Sequence, residues 1–171
     1  MKISKDLEID MGHAVTNHNS KCKHLHGHRY TIRATVDDKL ITSGSAEGMV
    51  IDFSDLKKCM MDVLDAPYDH AFVIWEEDPR AKILTEAHEM WHNDFTKFHT
   101  LPFVPTAENL ARYWFALLKN ELEAVYNIKL YQIDVWETPT SCAVYTAEEH
   151  NQELHEIEQM LAFAHGERIG R

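Results

Sequence analysis

Two stretches of the chain carry metal-binding residue types at metal-binding spacing. Residues 22–28 read Cys-Lys-His-Leu-His-Gly-His, and residues 88–92 read His-Glu-Met-Trp-His. In the first, His26 and His28 flank Gly27, and on a strand residues two apart project to the same side. His13 stands on the apolar face of the preceding alternating segment, so pairing the two segments as a hairpin lets three imidazoles converge. Three histidines with a fourth position open is the catalytic rather than the structural arrangement for zinc. The competing reading is three part-buried histidines satisfied by hydrogen bonds.

The second stretch spells the peptidase pattern, with His88 and His92 on one helix face and Glu89 as base. A third ligand is missing. The extended pattern needs glycine at 95 and histidine at 98, where Phe95 and Phe98 stand, and His99 misses by one. A metallopeptidase is therefore the remote alternative, and a polar helix face rich in His and Glu is usually solvated. A second, weaker metal site at His88 and His92 stays open.

Other groups could complete a site around the first stretch. Cys22 lies between Lys21 and Lys23, four residues before His26. Two ammonium groups and a nearby dication favour a thiolate, which makes a cysteine a useful base at neutral pH. Asp69-His70 follows a helix-prone segment; neighbours in sequence seldom pair directly, yet a loop histidine beside a carboxylate can carry protons. Glu137 ends a strand and shares its face with Tyr131, Ile133 and Val135, so its carboxylate should point where apolar groups point. A buried carboxylate needs donors, and the two N–H groups of an aminopyrimidinone edge would match it. Cys59 falls in a helix and Cys142 on a strand, where packing is the expected role.

The elements that must hold these groups follow from periodicity. Leu7, Ile9, Met11, His13 and Val15 alternate with polar residues, as do His26, His28, Tyr30, Ile32, Ala34 and Val36; both read as half-buried strands. A helix is expected over about 54–65, capped by Ser54, and residues 66–74 read as irregular. After a helix-prone stretch from Pro79, Thr106 caps a long helix with Leu110, Trp114, Leu117 and Leu118 on one face. KLYQIDVWET and SCAVYT read as two further strands. The tail, residues 149–171, places Leu154, Ile157, Leu161 and Ala164 at helical spacing, a stripe expected to pack on the body or on a neighbouring subunit. The order β-β-α-insert-α-β-β is an α+β layout, two main helices on one face of an antiparallel sheet.

Composition bounds the function. With 171 residues, 44% hydrophobic and 26% charged, the chain is expected to form one soluble domain, residues 1–148, followed by the helical tail. The formal charge of −11 argues against broad nucleic-acid binding. No apolar run suits a membrane span or a signal core, so the expected compartment is the cytoplasm. Three cysteines form no disulfide framework, which leaves room for a reactive thiol. Twelve histidines are many for this length.

Taken in order, CKHLHGH, EGMVIDFSDLK, the Asp69-His70 pair, PTAENLA and WETPTSCAVY resemble the 6-pyruvoyltetrahydropterin synthase family. The nearer likeness is to its bacterial branch in the queuosine (7-deazaguanine) pathway. The resemblance runs from residue 3 to 147, apart from residues 75–103. It implies a tunnelling fold (T-fold), in which subunit sheets join into an oligomeric β-barrel, commonly a hexamer of two trimers, with the active site between subunits. It further implies Zn2+ held by His13, His26 and His28. Cys22 would be the catalytic base with Asp69 and His70 as its relay. Glu137 would anchor the pterin ring, with Thr106 and the Glu108 region closing the pocket. The implied substrate is 7,8-dihydroneopterin triphosphate. The carboxy branch releases triphosphate and acetaldehyde and leaves 6-carboxy-5,6,7,8-tetrahydropterin, whereas the pyruvoyl branch eliminates triphosphate without cutting the side chain.

The chain departs from the family pattern in three places. Residues 11–14 read Met-Gly-His-Ala where an alanine-rich Ala-Ala-His is more usual. The loop from His13 to Cys22 is short. Residues 75–103 are longer than usual and read as a surface insertion. Lys21, Lys23 and Arg29 are the cations available to meet the triphosphate.

Overall fold

The computed structural model describes residues 1–90 and 97–169, with side chains up to residue 158. Strand β1 (Lys2–His13) pairs antiparallel with β2 (His26–Asp37) without interruption, from Lys2 opposite Asp37 to His13 opposite His26. This unbroken register carries both alternating patterns onto one face, where Ile9, Met11, Tyr30, Ile32, Ala34 and Val36 are buried. The opposite face carries directly opposed charges. Arg33 binds Asp6 and Arg29 binds Asp10, each through two nitrogens. Opposite charges across a strand pair support the register that the apolar face selects.

Strands β5 (Leu130–Thr138) and β6 (Ser141–Thr146) complete the antiparallel part by pairing β5 with β2 and β6 with β5. The full order is β4-β3-β1-β2-β5-β6. Two short strands, β3 (Phe72–Trp75) and β4 (Phe98–Leu101), run parallel to β1 and to each other. The sheet is therefore mixed rather than purely antiparallel, and it contains strand where the sequence reads as irregular or helix-prone. Val73 and Ile74 are both fully buried. A strand covered on both faces shows no alternation, which hides it from a period-two reading.

The helices cover one face. Helix α1 (Phe53–Met60) is capped by Asp52, whose carboxylate accepts from the Ser54 N–H at 2.7 Å, so the cap lies two residues before the expected Ser54. It runs through a π turn (Met61–Asp65) into the short α2 (Ala66–Tyr68). Helix α3 (Ala81–Met90) follows β3. Helix α4 (Ala107–Glu121) starts as expected, the Thr106 hydroxyl accepting from the Asn109 N–H. Leu110, Trp114, Phe115 and Leu118 of α4 are fully buried against the sheet, each contributing roughly 1.5–3 kcal/mol by leaving water.

The last helix, α5 (Ala147–Ile169), docks through its first turns. Glu153 accepts from Arg112 and from the Tyr145 hydroxyl at 2.8 Å, and the His150 ring lies over Phe115. Leu154 and Ile157 are 46% and 47% exposed, so the front of the expected apolar stripe does not pack on this chain's own body. The side chains of Leu161 and Ala164 lie outside the described residues. No helix among the described residues is long and apolar enough to cross a membrane.

Candidate functional site

The β1–β2 register places His13 directly opposite His26 and Met11 opposite His28, so three imidazoles gather at one end of the core-facing layer. Their ring centroids stand 4.5 to 5.2 Å apart, and one ligand nitrogen from each lies within 4.8 Å of the others. Glycine at positions 12 and 27 matters here. A Cβ on Gly12 would meet the Phe72 ring at 2.5 Å, and one on Gly27 would meet the Met11 carbonyl at 3.2 Å. The backbones approach closely where the histidines turn inward.

Hydrogen bonds fix how two of the rings point. His13 Nδ1 donates to the Pro105 carbonyl at 2.7 Å, and His26 Nδ1 donates to the His24 carbonyl at 2.7 Å. A carbonyl only accepts, so each Nδ1 carries a proton and each ring turns its Nε2 away from that anchor. Among the described residues the Nε2 atoms of His13 and His28 are buried without a hydrogen-bond partner. Glu137 Oε1 is 3.4 Å from the first and 3.9 Å from the second, near both but outside hydrogen-bond geometry. Burial lowers the pKa of both His13 and His28, holding them in the neutral form that ligates. Orphaned buried nitrogens, carbonyl anchors behind the rings and neutral imidazoles are what a divalent transition metal requires. The three residues fit such an ion.

The segment before α4 belongs to this site. Pro105, which orients His13, immediately precedes the Thr106 cap, and Asn109 Nδ2 donates back to the Val104 carbonyl at 2.9 Å. The motif PTAEN thus ends a loop, caps a helix and aims a histidine. Thr106 and Glu108 then line a cavity of about 280 Å³ together with Cys22 and Glu137. The thiol, the cap region and the strand-end glutamate are brought together around this one cavity. Tyr131 does not share their face; it sits at the β2–β5 register shift with the Lys2 ammonium 3.2 Å over its ring.

Asp69 and His70 stand elsewhere in this chain. His70 shares a wider cleft of about 650 Å³ with His28, Asp10, Arg29 and Lys97, while Cys22 lines the smaller cavity. Contrary to the expectation for adjacent residues, the two do pair. His70 Nδ1 lies 2.6 Å from Asp69 Oδ2 because His70 adopts a left-handed backbone, φ 59°. The Asp10 N–H donates to Asp69 at 2.9 Å and the His70 N–H donates to the Asp10 carbonyl at 2.7 Å, locking the turn onto β1. Burial pushes the Asp69 carboxyl upward, but the Asp10 N–H and His70 outweigh it and leave its pKa below the ordinary value. Asp69 is thereby held ionised beside an imidazole that is 78% exposed.

Two buried residues here escape a sequence reading. Tyr30 lies fully buried beside His13 and His28, its ring centroid 5.9 and 5.8 Å from theirs. Its hydroxyl meets the geometric criteria for a hydrogen bond with none of the described residues, and burial, with the Glu137 carboxylate close by, drives its pKa far up. The apolar alternation that marks Tyr30 as core conceals its place beside the histidines. Asp78 is the other, 3% exposed and absent from any motif. Of the peptidase-like stretch, His88 and Glu89 end α3, with His88 against the Phe98 ring, whereas Trp91 and His92 lie outside the described residues. Among the candidate cations, Arg29 is engaged by Asp10.

A curled α+β sheet with helices on one face and a three-histidine cluster at its end defines a tunnelling-fold protein with a metal-type site. Comparisons with known proteins narrow the class. The family model described as 6-pyruvoyl tetrahydropterin synthase matches residues 2–148. A 6-carboxy-5,6,7,8-tetrahydropterin synthase from Haemophilus influenzae is 38% identical over 145 residues, covering 84% of this chain and 97% of the relative. One from Aquifex aeolicus is 31% identical over 165 residues, covering 86% and 98%. Among solved structures, an uncharacterised protein from Wolinella succinogenes superposes with a TM-score of 0.71 at 23% identity, over 86% of this chain and 98% of that one. The 6-pyruvoyl tetrahydropterin synthase of Caenorhabditis elegans superposes with a TM-score of 0.56 at 24% identity, over 86% and 95%. The chain belongs to the 6-pyruvoyl tetrahydropterin synthase family and is a lyase of that family.

Proposed function

We propose that this protein converts 7,8-dihydroneopterin triphosphate to 6-carboxy-5,6,7,8-tetrahydropterin, releasing acetaldehyde and triphosphate, in the queuosine (7-deazaguanine) pathway. The observation that carries the reading is the convergence of His13, His26 and His28 beside Glu137, with Cys22 in the adjoining cavity. The relatives named above bear the carboxy rather than the pyruvoyl product in their names, which favours side-chain cleavage over triphosphate elimination alone. Family membership leaves the remote peptidase reading without support.

His13, His26 and His28 would hold the ion, which we take to be Zn2+. When bound, it supplies Lewis acidity toward substrate oxygens, making neighbouring C–H bonds easier to ionise. The chain's own residues do the rest. Glu137 accepts the paired N–H groups of the pterin edge, fixing the ring. Thr106 and Glu108 close the cavity over it. Cys22, as thiolate, removes a proton from the substrate side chain, and His70, held by Asp69, gives or takes the next.

Cys22 and His70 line different clefts within one chain. A subunit arrangement that sets the His70 turn of one copy against the Cys22 cavity of another would unite them. This supports an active site between subunits of a homo-oligomer, and the substrate needs neither nucleic acid nor membrane as partner.

The test is metal removal and return. A chelator should abolish turnover of dihydroneopterin triphosphate and Zn2+ should restore it, whereas His13→Ala should neither retain one ion per chain nor recover activity. Full turnover by metal-stripped protein would refute the reading.

A further inference from the structure

The turn between β3 and α3 reaches back to the loop that carries Cys22. Asp78, in the turn before α3, has a side chain shielded from solvent and four donors within reach. Arg80 supplies three of them: its backbone N–H at 2.8 Å, Nε at 2.8 Å and Nη2 at 2.6 Å. The fourth is the Thr16 hydroxyl at 2.5 Å. The remaining arm of the guanidinium, Nη1, donates to the Lys23 carbonyl at 2.6 Å. One half-buried ion pair, its carboxylate shielded and its guanidinium 36% exposed, thus grips the loop at both ends, at Thr16 soon after β1 and at Lys23 next to the thiol.

Between these two holds the loop's main-chain bonds all join the loop to itself, the His18 N–H to the Val15 carbonyl at 3.2 Å and the Lys23 N–H to the Ser20 carbonyl at 3.3 Å among them. The Val15 N–H donates to the Cys22 carbonyl at 2.9 Å, and the 3₁₀ turn Lys21–Lys23 is closed by the His24 N–H to the Lys21 carbonyl at 3.0 Å. A buried carboxylate is stable only while paired, and the planar guanidinium can bind it with one edge while a further arm reaches elsewhere, which a lysine cannot do. We propose that Asp78 and Arg80 form a clamp that sets the position of Cys22, with Arg80 a positioning residue. Its consequence for turnover rests on the reading of Cys22 as the working base; the clamp itself does not.

The experiment measures iodoacetamide labelling at each cysteine of the full-length, metal-loaded protein, peptide by peptide. The Cys22 labelling rate is expressed relative to the same peptide in urea-denatured protein, and buried Cys59 reports unfolding. Arg80→Met combined with Asp78→Ser removes both charges together, and Arg80→Lys keeps the charge but loses the fork. The clamp predicts that this Cys22 ratio rises by roughly threefold or more in the double variant, with Arg80→Lys between it and the parent. It also predicts a fall in kcat of about tenfold with KM little changed. An unchanged Cys22 ratio with Cys59 still protected overturns the proposal. Should Cys59 become reactive in the double variant, the Arg80→Lys ratio decides in the same way. A raised ratio with unaltered kcat leaves the clamp standing and rejects Cys22 as the base.

Discussion

At the scale of single residues, the site is a division of labour set by hydrogen bonds. His13 and His26 are oriented from behind by carbonyls, so their lone pairs are committed before any ion arrives. Cys22 lines the neighbouring cavity, and the two carbonyls that orient the rings belong to Pro105 and His24 rather than to it. Ligand and base should therefore separate cleanly. Cys22→Ser should lower kcat by about 10²–10⁴-fold, the usual contribution of a positioned base, while metal content stays at that of the parent. Metal analysis alongside steady-state kinetics reads both, and loss of metal in Cys22→Ser would make the thiol a ligand instead. Strand alternation made the positions of the three histidines and Glu137 legible, a helix cap that of Thr106, and two flanking lysines singled out Cys22, whereas pocket roles for Thr106 and Glu108 came only from the family resemblance. The Asp69–His70 bond was not, because it requires a non-glycine residue at φ 59°, a choice that local sequence does not announce.

At the scale of elements, the antiparallel centre and α4 follow from alternation and capping, whereas β3 stayed hidden because buried Val73 and Ile74 are adjacent and leave no polar alternation, and β4, four residues with only Leu101 buried, is too short to show a period. The β3–α3 turn also carries a charge with a pH signature. Arg80 outweighs the burial of Asp78 and holds its carboxyl well below the ordinary carboxylate range. A depressed folded pKa means stability that is fully present above the unfolded value of about 3.9 and lost as pH falls below it toward the folded one. The parent should therefore exceed Asp78→Asn in urea midpoint at pH 7, and the gap should narrow as pH drops below about 4. A gap that is constant down to pH 2 would show that Asp78 titrates normally. A signal for this turn was present in the sequence: an aspartate two residues before an arginine, ahead of a helix-prone run.

At the scale of the whole molecule, among the described residues the sheet ends in two unpaired edges, β4 and β6, with Val144 of β6 half exposed, and the front of the α5 apolar stripe is uncovered. Exposed edges and apolar stripes are managed in nature by pairing or covering them. The proposed oligomer would do both while bringing His70 of one copy to Cys22 of another. Light scattering should give a mass that is an integer multiple of 19.9 kDa. Breaking the edge with Val144→Pro should reduce that mass and abolish turnover while metal content persists. An active monomer would contradict a site shared between subunits. Nothing in a single chain's periodicity specifies such sharing, which is why the separation of His70 from Cys22 emerges only in three dimensions.

The central claim is the identity of the product. Zinc-loaded protein is incubated with 7,8-dihydroneopterin triphosphate, the pterin product is identified by mass spectrometry and acetaldehyde is assayed in the same sample. The account predicts a 6-carboxytetrahydropterin mass with acetaldehyde released in equal amount. A 6-pyruvoyl product without acetaldehyde would contradict it.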